Sequence, residues 1–146
     1  DYDYIMWIDS DMVFTPEQFF KLLDHEKDVV SGMYKMSDNV NYATVENMDE
    51  DFFEQWAYYQ FMQDKDIEAK NKKLFKVDYT GMGWMLVKKG VFEKIDYPWF
   101  YPIHTNDGVG IHGEDHSFQI RAKEAGFDSW ADTSVIVGHE KEVVLK

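Results

Sequence analysis

The sequence predicts an α/β fold in which a mixed sheet is flanked by helices. Two observations carry that expectation. Tyr4-Ile5-Met6-Trp7-Ile8 is an apolar run of strand length that stops abruptly at Asp9-Ser10-Asp11. Beyond it, segments of strand character alternate with segments of helical period. At 146 residues the chain fits one domain with a real core.

The elements follow in order. Tyr4 to Ile8 is the first strand. Thr15 is placed to cap a helix, Pro16 suits its first turn and Gln18 can close a capping box. That helix runs to about His25, with Phe19, Phe20 and Leu23 on one face. Val29 to Tyr34 reads as the second strand, 37–48 as loop, and 49–64 as a helix carrying Phe52, Phe53, Trp56 and Tyr59 or Gln60 at helical spacing. The aromatic run Trp56, Tyr58, Tyr59 and Phe61 reads as buried packing surface, with stacking on a sugar as the alternative. Asp64 to Lys73 is charged and reads as a solvated turn.

Leu74 to Tyr79 and Met82 to Val87 read as strands around Thr80-Gly81-Met82-Gly83, where small residues allow close backbone approach. Lys88 to Ile95 is a short helix ending before Pro98, and Trp99 to Gly113 an irregular, mobile loop. Glu114-Asp115 opens a helix with Phe118, Ala122 and Ala125 on one side, which Gly126 terminates. The last strand, Thr133 to Val137, runs into Gly138-His139-Glu140.

Composition narrows the function. A hydrophobic content of 45% with 17% aromatic residues argues for a globular protein, and a net charge of -13 argues against nucleic acid or anionic membrane as partner. An anionic substrate then needs a metal bridge. With no Cys, disulfides and Cys-ligated zinc are excluded. No apolar stretch approaches the ~20 residues of a membrane span and no signal peptide is visible, so the expected location is cytoplasmic.

Of 17 Asp residues, four pairs are spaced Asp-x-Asp: 1/3, 9/11, 49/51 and 64/66. Only Asp9 and Asp11 follow an apolar strand and precede a helix start. Ligand crevices in open α/β sheets lie outside the carboxyl ends of strands, and hard cations are commonly held there by one or two carboxylates together with substrate phosphates. The other three pairs read as solvated acidic surface.

Ile8-Asp9-Ser10-Asp11, the strand Val29 to Tyr34, the segment Tyr79-Thr80-Gly81-Met82-Gly83-Trp84-Met85-Leu86-Val87, Gly113-Glu114-Asp115-His116-Ser117-Phe118 with its helix, and Val137-Gly138-His139 occur in an order that resembles the GT-A glycosyltransferases, family-2-like transferases of nucleotide-diphospho-sugars with a Rossmann-like sheet. The resemblance covers Tyr4 to about His139. It implies that Asp11 binds the metal, that Asp9 approaches the ribose or a metal-bound water, and that His139 is the third contact, with Mn²⁺ or Mg²⁺ as the ion. Gly83 and Trp84 would border the donor and acceptor, Trp84 as an acceptor platform. Asp115 would be the general base that deprotonates an acceptor hydroxyl, and Glu114 would orient a sugar. The acceptor is then a hydroxyl-bearing glycan, lipid or protein, and transfer is inverting. The resemblance also implies that this single domain is the C-terminal, metal- and acceptor-binding part of the transferase domain. The absent nucleoside-binding half would leave an apolar sheet edge open to self-association.

Two other readings stay open. Ile8-Asp9-Ser10-Asp11-Met12-Val13 also matches the opening motif of haloacid-dehalogenase-type phosphatases, with Ser31 available as the strand-end hydroxyl. A non-enzymatic sugar- or calcium-binding module would use Asp49-Glu50-Asp51.

Overall fold

The computed structural model describes residues 1–142. Its frame is a five-stranded mixed sheet in the order β1-β7-β3-β10-β5, comprising β1 (Tyr4–Ile8), β3 (Val29–Met33), β5 (Leu74–Val77), β7 (Trp84–Lys88) and β10 (Ser129–Ile136). β7 runs antiparallel to both β1 and β3, β3 runs parallel to β10, and β5 closes the far side antiparallel to β10. β1, β3 and β10 therefore point the same way, and their carboxyl ends share one side of the sheet with the start of β7. Six two-residue strands form ribbons outside the sheet: β2 (Met12–Val13) with β11 (Gly138–His139), β4 (Thr44–Val45) with β6 (Tyr79–Thr80), and β8 (Ile103–His104) with β9 (Ile111–His112). The last pair makes three ribbons in all.

Side-chain alternation sends the sheet's residues to opposite faces. On one face Val30, Trp84 and Leu86 pack under α1 (Pro16–Leu23), which contributes Leu22 and Phe19. On the other, Val29, Met85 and Val87 pack against α4 (Val91–Lys94) and α5 (Glu114–Glu124) through Val91, Phe92, Phe118 and Ala122. A third cluster joins Met33, Val77 and Ala131 to Met62 and to Ile67 of α3 (Asp64–Lys70).

The structure corrects several expected elements. In α1 the inward residue is Leu22, fully buried, while Phe20 is 57% exposed. The helix predicted over 49–64 is only α2 (Glu50–Trp56). It stops where Ala57 turns left-handed (φ 50°), after which the chain extends and Tyr59 turns inward to two histidines. The stretch from Asp64, read as a solvated turn, is the helix α3: Asp66 accepts the Gln63 amide (2.8 Å) at its start, and a single apolar residue, Ile67, anchors it. The loop 99–113 holds the β8–β9 hairpin, whose turn is fastened by Asp107 accepting from the Thr105 hydroxyl (2.5 Å) and the Val109 amide (2.9 Å). α5 ends as expected, with Gly126 at φ 98° supplying the left-handed residue that favours glycine.

Among the described residues, Asp132 in β10 is the one fully buried carboxylate. Its Oδ2 lies 2.7 Å from His25 Nε2, and its Oδ1 accepts from the Ser134 hydroxyl (2.6 Å) and amide (2.7 Å). Burial pushes its carboxyl upward, yet these hydrogen bonds outweigh burial and hold it below the usual carboxylate range. Removing Asp132 strands all three partners. Asp132→Ala is therefore expected to cost about 3 kcal/mol in denaturant unfolding near neutral pH. A depressed folded value means that this stabilisation is complete above the unfolded value of about 3.9 and is lost as pH falls through the folded one. The gap between parent and variant should narrow in acid.

Candidate functional site

The carboxyl end of β1 supplies the first two side chains. The chain leaves Ile8, Asp9 donates its amide to the Gly83 carbonyl (2.8 Å), and Met12 N–H closes a turn on the Asp9 carbonyl (3.1 Å). β2 then pairs with β11, setting His139 opposite Met12, and Glu140 donates to the Asp11 carbonyl (2.8 Å). That ribbon is why Asp11 and His139, 128 residues apart, meet: His139 Nε2 lies 3.2 Å from Asp11 Oδ2.

The other ring nitrogen fixes the tautomer. His139 Nδ1 is 2.6 Å from the Lys35 carbonyl, which can only accept, so Nδ1 carries a proton. In the neutral ring, Nε2 therefore turns a lone pair toward the Asp11 carboxylate. Lys141 Nζ reaches the same Oδ2 at 2.6 Å. Its hydrogen bond, followed by the charge of His139, holds the Asp11 carboxyl below the usual range despite some burial. Among the described residues no group of three or more metal-ligating side chains is gathered, so a cation here would have two protein ligands, Asp11 and His139, and would need others from substrate or water.

Asp9 faces elsewhere. With Trp7, Met82, Phe100, Glu114 and Asp115 it lines a cavity of about 150 Å³, which brings the end of β1 and the start of α5 to one place. Glu114 is exposed at its rim. Asp115 accepts from the Tyr79 hydroxyl through Oδ2 (2.7 Å) and from the His116 amide through Oδ1 (2.7 Å). Burial raises its carboxyl, with the Glu114 charge adding to it, and the two hydrogen bonds do not cancel the rise. Burial thus outweighs the charge-stabilising effect of a helix N-terminus.

Gly83 is packed between these groups. A Cβ there would come within 2.7 Å of Met12 Cε, 2.8 Å of Tyr34 Oη and 3.0 Å of Asp9 Oδ2. Its amide donates to Tyr34 Oη (3.0 Å). Burial and the charges of Asp9, Asp115 and Asp11 push the Tyr34 phenol up to about 12, so it stays neutral behind the site. Gly83 is therefore a spacer that lets β7 approach Asp9.

Trp84 has a different place from the expected platform. The first residue of β7 points into the sheet's α1 face, where the Trp84 ring is fully buried, lies over Gly32 and faces Phe14 (5.7 Å). A ring with no exposed face cannot stack on an acceptor, so Trp84 is a core residue. The aromatic wall at the cavity is instead Trp7, 37% exposed, with Phe100 edge-on to it at 5.3 Å.

The structure also locates the residues of the other readings. Ser31 is fully buried mid-sheet and donates to the Gly32 and Trp84 carbonyls. Asp49 caps α2 by accepting the Phe52 amide (2.9 Å), and Glu50 faces His112 (3.1 Å). Lys141, Tyr79 and Trp7 were not signalled by sequence spacing; Tyr79 stood within the glycine-rich segment but carried no role.

Neither a protein-family model nor a curated protein matches this chain. Among solved structures, the crystal structure of A197 from STIV is similar, with a TM-score of 0.61 at 21% identity over 97% of this chain and 60% of that one. The chain thus spans about 60% of that structure's length, and the two share a fold.

The packing around Gly83 sets an expectation. Gly83→Ala has to displace Asp9, Tyr34 or Met12, and should cost about 1–3 kcal/mol in thermal unfolding. Gly108→Ala, where a Cβ meets nothing within 4 Å, strains only a left-handed turn (φ 73°) and should cost less.

Proposed function

We propose that this chain is the metal- and acceptor-binding part of a GT-A glycosyltransferase, moving a sugar from a nucleotide-diphospho-sugar to an acceptor hydroxyl. The observation that carries the reading is the Asp11–His139 pair: an imidazole whose Nδ1 proton is committed to a backbone carbonyl turns its Nε2 toward a carboxylate oxygen 3.2 Å away. Metal-binding histidines are characteristically oriented in this way by a carbonyl on the second nitrogen. The oxygen and nitrogen donors suit Mn²⁺ or Mg²⁺, with Mn²⁺ better matched to an imidazole ligand. Two protein ligands, Asp11 and His139, leave positions on an ion that substrate phosphates can complete.

When bound, such an ion neutralises charge on a departing diphosphate. The chain's own residues supply the remaining parts. Asp9 points into the cavity as a ribose or water contact. Asp115, raised in basicity by burial, takes the acceptor hydroxyl proton. The acceptor oxygen then forms its bond to the anomeric carbon while the carbon–phosphate oxygen bond breaks, and that electron pair leaves with the nucleoside diphosphate. Direct attack assisted by a base corresponds to inversion. The buried, sheet-bonded Ser31 weighs against the phosphatase reading, and the local roles of Asp49 and Glu50 weigh against the calcium module.

Two measurements test this. Mn²⁺ titration by calorimetry or electron paramagnetic resonance should show binding to the parent, loss in Asp11→Ala, marked weakening in His139→Ala and no change in Asp51→Ala; equal behaviour of Asp11→Ala and Asp51→Ala would overturn the metal assignment. Asp115→Asn should lower nucleoside diphosphate release from nucleotide-sugars by about 10²–10⁴-fold while leaving Mn²⁺ affinity unchanged. Turnover within twofold of the parent would remove Asp115 from the chemistry.

A further inference from the structure

We propose that Tyr79 is the positioning residue for Asp115, and that its phenol, held by a buried aromatic and histidine assembly, dictates which carboxylate oxygen faces the cavity. The inference rests on the reading of Asp115 as the base. A base must present a lone pair to its substrate in a fixed direction, because small misplacements are costly in rate. A short Asp side chain on the first turn of a helix has freedom to rotate. Here two donors act on it, one on each oxygen: the His116 amide on Oδ1 and Tyr79 Oη on Oδ2, both at 2.7 Å. The amide belongs to the helix carrying Asp115. The phenol comes from β6, and so ties the carboxylate to a separate element.

That element is locked to the helix. Gln119, one turn beyond Asp115 and fully buried, accepts the Thr80 amide through Oε1 (2.9 Å) and donates Nε2 to the Thr80 carbonyl (2.6 Å). The exchange fastens β6 to α5 immediately beside the Tyr79–Asp115 contact. The phenol ring is held from its other side as well. Tyr59 stacks on it (5.6 Å, 23°) and the His116 ring tilts against it (5.0 Å). Tyr59 in turn is fixed at its hydroxyl by His112 Nδ1 (3.1 Å) and His116 Nδ1 (3.2 Å), and His112 Nε2 reaches Glu50 (3.1 Å).

The assembly is suited to stay a donor. Burial, then the adjacent Asp115 charge, pushes the Tyr79 phenol well above its ordinary value. Burial likewise holds His116 down at about 4, so that ring is neutral behind the carboxylate. The charged and titratable groups around Asp115 are Glu114 and His116 on its own helix, Tyr79 on β6, Tyr59 after α2, Tyr34 after β3, Asp9 after β1 and His112 on β9. Of these, the hydrogen-bond donor to the carboxylate side chain from outside its helix is Tyr79.

Tyr79→Phe keeps the ring and deletes the donor. In the protein labelled with ¹³C at Asp carboxyls, the Asp115 titration should move to higher pH in Tyr79→Phe, and to lower pH when 3,5-difluorotyrosine, a stronger donor, replaces Tyr79. With Mn²⁺ and a panel of nucleotide-sugars, Tyr79→Phe should lose about 10–100-fold in nucleoside diphosphate release, its acid limb shifting with the titration, with Mn²⁺ affinity unchanged. Gln119→Ala, which frees β6 from α5, should lose rate without removing the donor. An unmoved Asp115 titration in both Tyr79 variants overturns the positioning role, whether or not turnover is measurable. An inert Asp115→Asn change with a shifted titration would instead overturn the base reading and leave the contact intact.

Discussion

Three parallel strands, β1, β3 and β10, govern the arrangement of the rest. Because β7 runs against β1 and β3, the turn at Gly83 meets the carboxyl end of β1, and the Asp9 amide bonds the Gly83 carbonyl. Because β10 runs with β3, the chain emerges from the sheet on the same side and returns to β2 as β11. Asp9, Asp11 and His139 are thus collected by backbone pairing, before any side chain interacts. Asp115 is added separately, by α5 packing its Phe118 and Ala122 on the opposite face from α1. Main-chain order places the groups, and side-chain contacts only orient them.

Orientation carries an electrostatic cost in a chain of net charge -13, and the site meets it with different donors at each carboxylate. Asp11 is countered by the full charge of Lys141, with the His139 ring beside it. Asp115, buried more deeply, receives neutral donors alone, a phenol and an amide. The difference has chemical consequences. A cationic partner keeps a carboxylate ionised and poorly basic. Neutral donors in a desolvated place fix geometry without abolishing basicity.

What the sequence made legible follows from the range of the interactions involved. Strands β1 and β7 are apolar runs and β3 opens on Val29-Val30, and α1 and α5 carry their own start or stop signals at Pro16, Gln18 and Gly126, so local pattern finds them. The burial of β7 on both faces also explains the misplaced Trp84: its neighbour Gly83 is at the site, but the next side chain already turns to the covered α1 face. α3 escaped because a single apolar anchor, Ile67, gives no helical period. The break after Trp56 escaped because what ends that helix is Tyr59 reaching His112 and His116, more than fifty positions away. Tyr79 and Lys141 escaped for the same reason, since their partners are set by tertiary pairing.

The edge of the sheet follows the same logic. β1 has β7 on one side and, among the described residues, no strand on the other, and it leaves Trp7 and Ile8 exposed. Such an edge is a template for an added strand. Its flanks restrict what can be added. Antiparallel pairing with a second copy centred on Met6 would set Asp3 directly opposite Asp9 at both ends, and like charges facing one another across a strand pair are destabilising. Slipping the register by one residue to separate them would turn every side chain of the added strand to the other face, setting Trp7 and Ile8 against the wrong layers. The acids at either end of the apolar run thus give Asp9 a second effect beside its place in the cavity: they oppose symmetric pairing of the strand that carries it.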